Sequence, residues 1–184
     1  MERSVLVLLG SARPDGNTAD TTRELIAALK LPAMMIDLGA ATIEPFDYVT
    51  SEHPDTFVEM VRRALEATDL VLATPVYWYA MSGVMKRFFD RLTDLVREPN
   101  KTLGRALAGR TVWLVATGTD PELPAGFELP FRLTAGYFGM AFGGTCYRHY
   151  LRDSEPVESA AERIRTFAAD IEAAKVTEIP ARAN

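Results

Sequence analysis

The residues best equipped for chemistry lie between Gly10 and Thr18, where an apolar run gives way to G-S-A-R-P-D-G-N-T. Ser11, Asn17 and Thr18 supply side-chain donors, and Arg13 adds a formal charge. Gly10 and Gly16 let the backbone approach a ligand closely. A helix starting here would aim its unpaired N–H groups and the positive end of its dipole at the same place. That is anion-binding chemistry, and a phosphate monoester is the obvious occupant. The spacing is neither G-x-x-x-x-G-K-[ST] nor G-x-G-x-x-G, so a nucleoside triphosphate loop and the dinucleotide fingerprint are not indicated. The alternative is a bare turn at Pro14 to Asn17 with Thr18 as a helix cap.

A second stretch, Thr74-Pro75-Val76-Tyr77-Trp78-Tyr79-Ala80-Met81-Ser82, sets three aromatics directly after an apolar run. They cannot all point into a core. Exposed aromatic edges beside an anion site suit a planar ring, with loop backbone groups free to bond its edge. A third stretch, Ala116-Thr117-Gly118-Thr119-Asp120, is again small, polar and glycine-containing. Together the three offer a place for a phosphate, a ring face and a ring edge.

These loops need a scaffold that brings them to one rim. Strand-like and helix-like runs alternate along the whole chain, the pattern of a parallel sheet covered on both faces. Strands are expected at Ser4 to Leu9, Ala33 to Leu38, Leu70 to Ala73, Thr111 to Thr117 and Met140 to Tyr147. Several are apolar at consecutive positions, as strands buried on both sides should be. Helices are expected at Thr18 to Lys30, Pro54 to Thr68, Ser82 to Arg97, Glu128 to Phe138 and Pro156 to Ala174. In the third, Val84, Met85, Phe88, Phe89, Leu92, Leu95 and Val96 share an apolar stripe, with Lys86, Arg87, Asp90, Arg91 and Asp94 opposite. Gly39 to Glu52 and Glu98 to Arg110 read as irregular. A single domain over 1–176 with a frayed tail at 177–184 is expected. In open parallel sheets ligands bind beyond the carboxyl ends of the strands, where all three stretches fall.

Composition removes other function classes. The 184 residues carry a net charge of −5, with no clustered basic face for nucleic acid or an anionic membrane. The apolar start is too short for a signal peptide or a spanning helix, so a cytoplasmic protein is expected. One cysteine, Cys146, allows no internal disulfide and reads as buried core. His53 and His149 lie far apart without metal-ligand spacing, so no metal site is expected.

The motifs at Gly10 to Thr18 and at Thr74 to Leu92, T-P-V-Y-W-Y-A-M-S-G-V-M-K-R-F-F-D-R-L, with A-T-G-T-D at Ala116 to Asp120, resemble those of the flavodoxin-like NADPH-dependent FMN reductases. The resemblance runs to about Ala174. It implies an α/β three-layer sandwich whose five parallel strands take the order 2-1-3-4-5. It implies bound FMN, with NADPH or NADH as electron donor. Ser11, Arg13, Asn17 and Thr18 are carried over as phosphate contacts, Pro75, Val76, Tyr77 and Trp78 as the stretch against the flavin ring, and Thr117, Gly118, Thr119 and Asp120 as the loop at its pyrimidine end. A homodimer, or a tetramer, is implied as well.

The activity implied is hydride transfer from NAD(P)H through the flavin to a flavin, quinone, azo or nitro compound or metal oxyanion, in ping-pong order. No side-chain acid, base or nucleophile is nominated, because the cofactor supplies the chemistry. A flavodoxin-type electron carrier and a flavin-free interaction protein of the same fold are the alternatives. Carriers are usually more acidic around the flavin, and Lys86, Arg87 and Arg91 favour the enzyme.

Overall fold

The computed structural model describes residues 2–49, 54–150 and 157–174. The expected tail at 177–184 lies outside them, as does His53. Five parallel strands, β1 (Val5–Leu9), β2 (Ala33–Asp37), β3 (Asp69–Tyr77), β5 (Thr111–Gly118) and β6 (Ala141–His149), form one sheet in the order β2-β1-β3-β5-β6. This is the expected order. The labels differ because a two-residue strand, β4 (Ala80–Met81), folds back antiparallel on the end of β3.

Helices α1 (Asn17–Ala28) and α6 (Val157–Ala173) cover one face. There Val5, Val7, Leu9, Val71, Ala73, Trp113, Val115 and Cys146 meet Leu25 and Phe167. Helices α2 (Phe57–Glu66), α3 (Gly83–Arg91) and α5 (Leu129–Tyr137) cover the other, where Leu6, Leu8, Leu70, Leu72, Val112 and Leu114 meet Phe57, Phe88 and Phe131. Successive strand residues point to opposite sides, so a strand buried on both needs an unbroken apolar run. No helix among the described residues is long and apolar enough to cross a membrane.

β3 runs on past Ala73 through the aromatic stretch to Tyr77. Pro75 is tolerated there for a geometric reason. It faces the same side as Ala73, whose carbonyl accepts the Gly10 N–H at 2.7 Å. β1 has ended at Leu9, so the missing N–H breaks no rung.

The third helix departs from the expected pattern. It ends at Arg91 and continues as a 3-10 turn over Leu92–Val96. Arg91 and Asp94 do not face solvent: Arg91 is 1% exposed. Its guanidinium bonds Asp55, donates to Asp94 Oδ2 at 2.7 Å and to the Glu44 carbonyl at 3.1 Å, and stacks 4.8 Å over the Phe57 ring. A buried cation needs this degree of satisfaction. Arg91 therefore pins the segment around Glu44 to α3, and it contributes nothing to a basic surface. A short helix, α4 (Lys101–Ala106), stands in the segment read as irregular.

Candidate functional site

Ser82 builds the first corner of the site. Its Oγ accepts the Met85 N–H at 3.1 Å, capping α3, and donates to the Gly10 carbonyl at 2.5 Å. The Ser82 N–H in turn donates to Thr74 Oγ1 at 3.0 Å. One buried hydroxyl thus bolts the start of α3 to the loop after β1. Gly10 is required here, because a Cβ would lie 2.7 Å from that of Met85.

Beyond Gly10 the loop turns on Ser11, whose Oγ accepts the Arg13 N–H at 3.2 Å and donates to the Arg13 carbonyl at 3.1 Å. Gly16 occupies the N-cap position of α1 and provides no side-chain bond. Thr18 is therefore not the cap. The first N–H groups of a twelve-residue helix are left without a side-chain acceptor and front the crevice.

Thr18 performs a different task. It is buried, and its Oγ1 lies 2.6 Å from Oγ1 of Thr117, likewise buried at the end of β5. Two hydroxyls sharing one hydrogen bond leave one proton free to donate elsewhere. Tyr150 closes the same end. Its hydroxyl lies 3.0 Å from Thr21 Oγ1 and donates to the Asn17 carbonyl at 3.3 Å, while its N–H donates to the Gly118 carbonyl at 2.8 Å. Burial raises the Tyr150 phenol above its usual range, against the opposing hydrogen bond with Thr21. Burial raises Tyr147 too, assisted by the Asp120 carboxylate, and its hydroxyl donates to the Asp120 carbonyl at 2.7 Å. Both phenols are protonated donors at neutral pH.

These contacts border an open crevice at the carboxyl ends of β1, β3 and β5. Ser11, Arg13, Asn17, Thr18, Pro75, Val76, Tyr77, Thr117, Gly118 and Thr119 line it, all of them expected from the sequence. Trp78 and Asp120 were expected beside them and are not among the lining residues. Gly16, expected from the sequence to let the backbone approach a ligand, lines it too, and Tyr150 lines it without having been expected. β6 extends two residues beyond the expected end, which brings Tyr150 to the rim; an aromatic just past a parallel strand was the available signal.

The aromatic lip is a β-hairpin. Tyr77 pairs with Ala80 and Val76 with Met81, leaving Trp78 and Tyr79 as a two-residue turn. Their φ angles are +50° and +64°. Positive φ at both central positions is the type I′ geometry, which favours Asn-Gly. For bulky L residues it costs on the order of 1 kcal/mol each.

A profile of the family described as NADPH-dependent FMN reductase matches residues 3–147. YwqN of Bacillus subtilis (strain 168), whose name describes an NAD(P)H-dependent FMN-containing oxidoreductase, is 26% identical over 149 residues, 76% of this chain and 81% of that protein. Among solved structures, the Trp repressor binding protein from Bacillus subtilis superposes with a TM-score of 0.70 at 21% identity, over 88% of this chain and 98% of that one. An FMN-dependent NADH-azoreductase from Bacillus anthracis, solved in complex with FMN, gives 0.68 at 9% identity, over 91% and 98%. The fold is flavodoxin-like, and the chain belongs to the NADPH-dependent FMN reductase family.

Proposed function

We propose that the chain is a cytoplasmic NAD(P)H oxidoreductase that holds FMN in this crevice and reduces a small acceptor, a flavin, quinone, azo or nitro compound or metal oxyanion. Donor and acceptor take turns on one exposed face, in ping-pong order. The observation that carries the reading is an uncapped α1 N-terminus at one end of a crevice whose other lip is aromatic. A phosphate suits the first and a planar ring the second.

The donor set fits FMN. Arg13, Asn17, the loop N–H groups and the spare proton of the Thr18–Thr117 pair would hold the phosphate, with Ser11 fixing the loop. Pro75, Val76 and Tyr77 would lie along the ring, and the backbone at Gly118 and Thr119 would meet its pyrimidine end. Bound there, FMN would supply the hydride-accepting centre. The side chains bind, orient and limit access, and none is assigned as acid, base or nucleophile.

A homodimer belongs to the same reading. Leu129, Leu133 and Tyr137 recur every four residues on α5 and are exposed, a stripe that a second copy would cover.

Steady-state kinetics test the reaction order. With FMN-loaded protein, varying NADPH or NADH at several fixed quinone concentrations should give parallel double-reciprocal lines. Intersecting lines would mean that both substrates bind together and would overturn the shared face.

A further inference from the structure

The Trp78–Tyr79 turn is the least economical backbone in the described chain. Among the described residues, these two alone combine a side chain with positive φ, and both are aromatic. They gain little burial in return: Trp78 is 94% exposed and Tyr79 71%. Strain without burial implies a task outside the folding of this chain.

Its position narrows the task. Tyr77, 45% exposed, lines the crevice and is joined directly to the turn, so the turn stands beside the crevice mouth. The base of the turn is rigid, since β4 pairs with β3 and Ser82 anchors the following helix to Gly10. From Tyr77 to Val84 the chain carries no formal charge. An electron-rich indole and phenol on a fixed, uncharged support attract an electron-poor planar molecule by stacking.

We propose that Trp78 and Tyr79 form a stacking platform for a planar, electron-poor aromatic acceptor, such as a quinone or nitroarene, and determine which acceptors the crevice receives. This rests on the functional reading above.

The test compares wild-type protein with W78N/Y79G, which substitutes the residues that the turn geometry favours, and with W78F/Y79F, which keeps two rings. Each is first titrated with FMN. KM is then measured for 2-methyl-1,4-naphthoquinone and for ferricyanide, which is not planar. W78N/Y79G should raise the quinone KM about tenfold, the loss of one stacked ring, and raise it at least five times more than the ferricyanide KM. W78F/Y79F should recover most of the difference. The Tm of W78N/Y79G should rise by about 2–6 °C as strain is relieved, whereas a merely structural turn would lower it.

A readout independent of turnover comes from tryptophan. Trp78 is exposed while Trp113, the other tryptophan, is 3% exposed. Naphthoquinone added to the oxidised, FMN-loaded protein should quench emission saturably, and Trp78→Phe should abolish that quenching. Equal changes in both KM values, or a loss of FMN affinity as large as the quinone effect, overturn the platform. Trp78 emission that shifts to the blue with protein concentration and ignores quinone assigns the turn to a subunit interface and also overturns it. Failure of wild-type protein to bind FMN overturns instead the reading on which the platform rests.

Discussion

Thr18 and Thr117 are ninety-nine positions apart in sequence, yet their hydroxyls meet at 2.6 Å with both side chains buried. The pair ties the first turn of α1 to the end of β5 and forms the floor between the two ends of the crevice. Replacing either residue alone by Val strands the other hydroxyl in a buried site, which costs about 1–3 kcal/mol. Replacing both leaves nothing stranded. A double-mutant cycle by urea denaturation should therefore show the double variant nearer to wild type than the sum of the singles. Additive losses would mean that the hydroxyls do not depend on each other. FMN affinity should fall most in the double variant, which has no hydroxyl left to donate, whereas each single variant keeps one.

Ser82 supports two loops with one oxygen. Ser82→Ala removes the α3 cap and the bond to Gly10 and should destabilise the protein by about 1–3 kcal/mol. It should also weaken FMN binding, because the loop after β1 loses its anchor. Stability that falls while FMN affinity holds would show that the loop keeps its shape unaided.

The Arg91 cluster predicts an acid limit. Burial pushes the Asp55 carboxyl up, but the bond from Arg91, the N–H groups of Glu44 and Phe57 and the charge of Arg91 together outweigh it, and the group is held below 3.8. A carboxylate lowered on folding contributes stability that is present above its unfolded value and lost as pH falls through the folded one. Stability should thus decline below about pH 4. Asp55→Asn should be less stable at neutral pH, by about 3–5 kcal/mol, because it leaves Arg91 underpaired in the core. Its stability should also vary less with pH below 4, which chemical denaturation across that range can measure.

Arg13 is exposed at the lip of the crevice, so its charge is screened. Arg13→Ala should weaken FMN by about three- to tenfold at low salt, and less as ionic strength rises. Riboflavin, which lacks the phosphate, should bind the variant as it binds the wild type. A matching loss for riboflavin would place Arg13 against the ring.

Much of the scaffold is readable in advance because its physics is local. Val5 to Leu9 and Thr111 to Thr117 are short runs, apolar at consecutive positions and rich in β-branched residues, which suits strands buried on both faces. The lining of the crevice is readable for the same reason, because its loops follow those strands directly. What escapes is non-local. Helical spacing places Arg91 on the polar face, and nothing near it reveals that Asp55 waits thirty-six residues upstream. The Trp78–Tyr79 turn escapes because its residues contradict the composition that its geometry favours. α4 is short and contains Gly104, where a Cβ would lie 2.2 Å from the Leu95 carbonyl oxygen. That glycine serves close packing and reads locally as a helix breaker.

A flavin held by its phosphate at the start of α1 is distinguished from one held by its ring alone by comparing FMN with riboflavin in equilibrium titrations. FMN should bind tightly and riboflavin at least about a hundredfold more weakly, the difference a charged, well-donated phosphate makes. Equal affinity, or no binding of FMN at all, would contradict it.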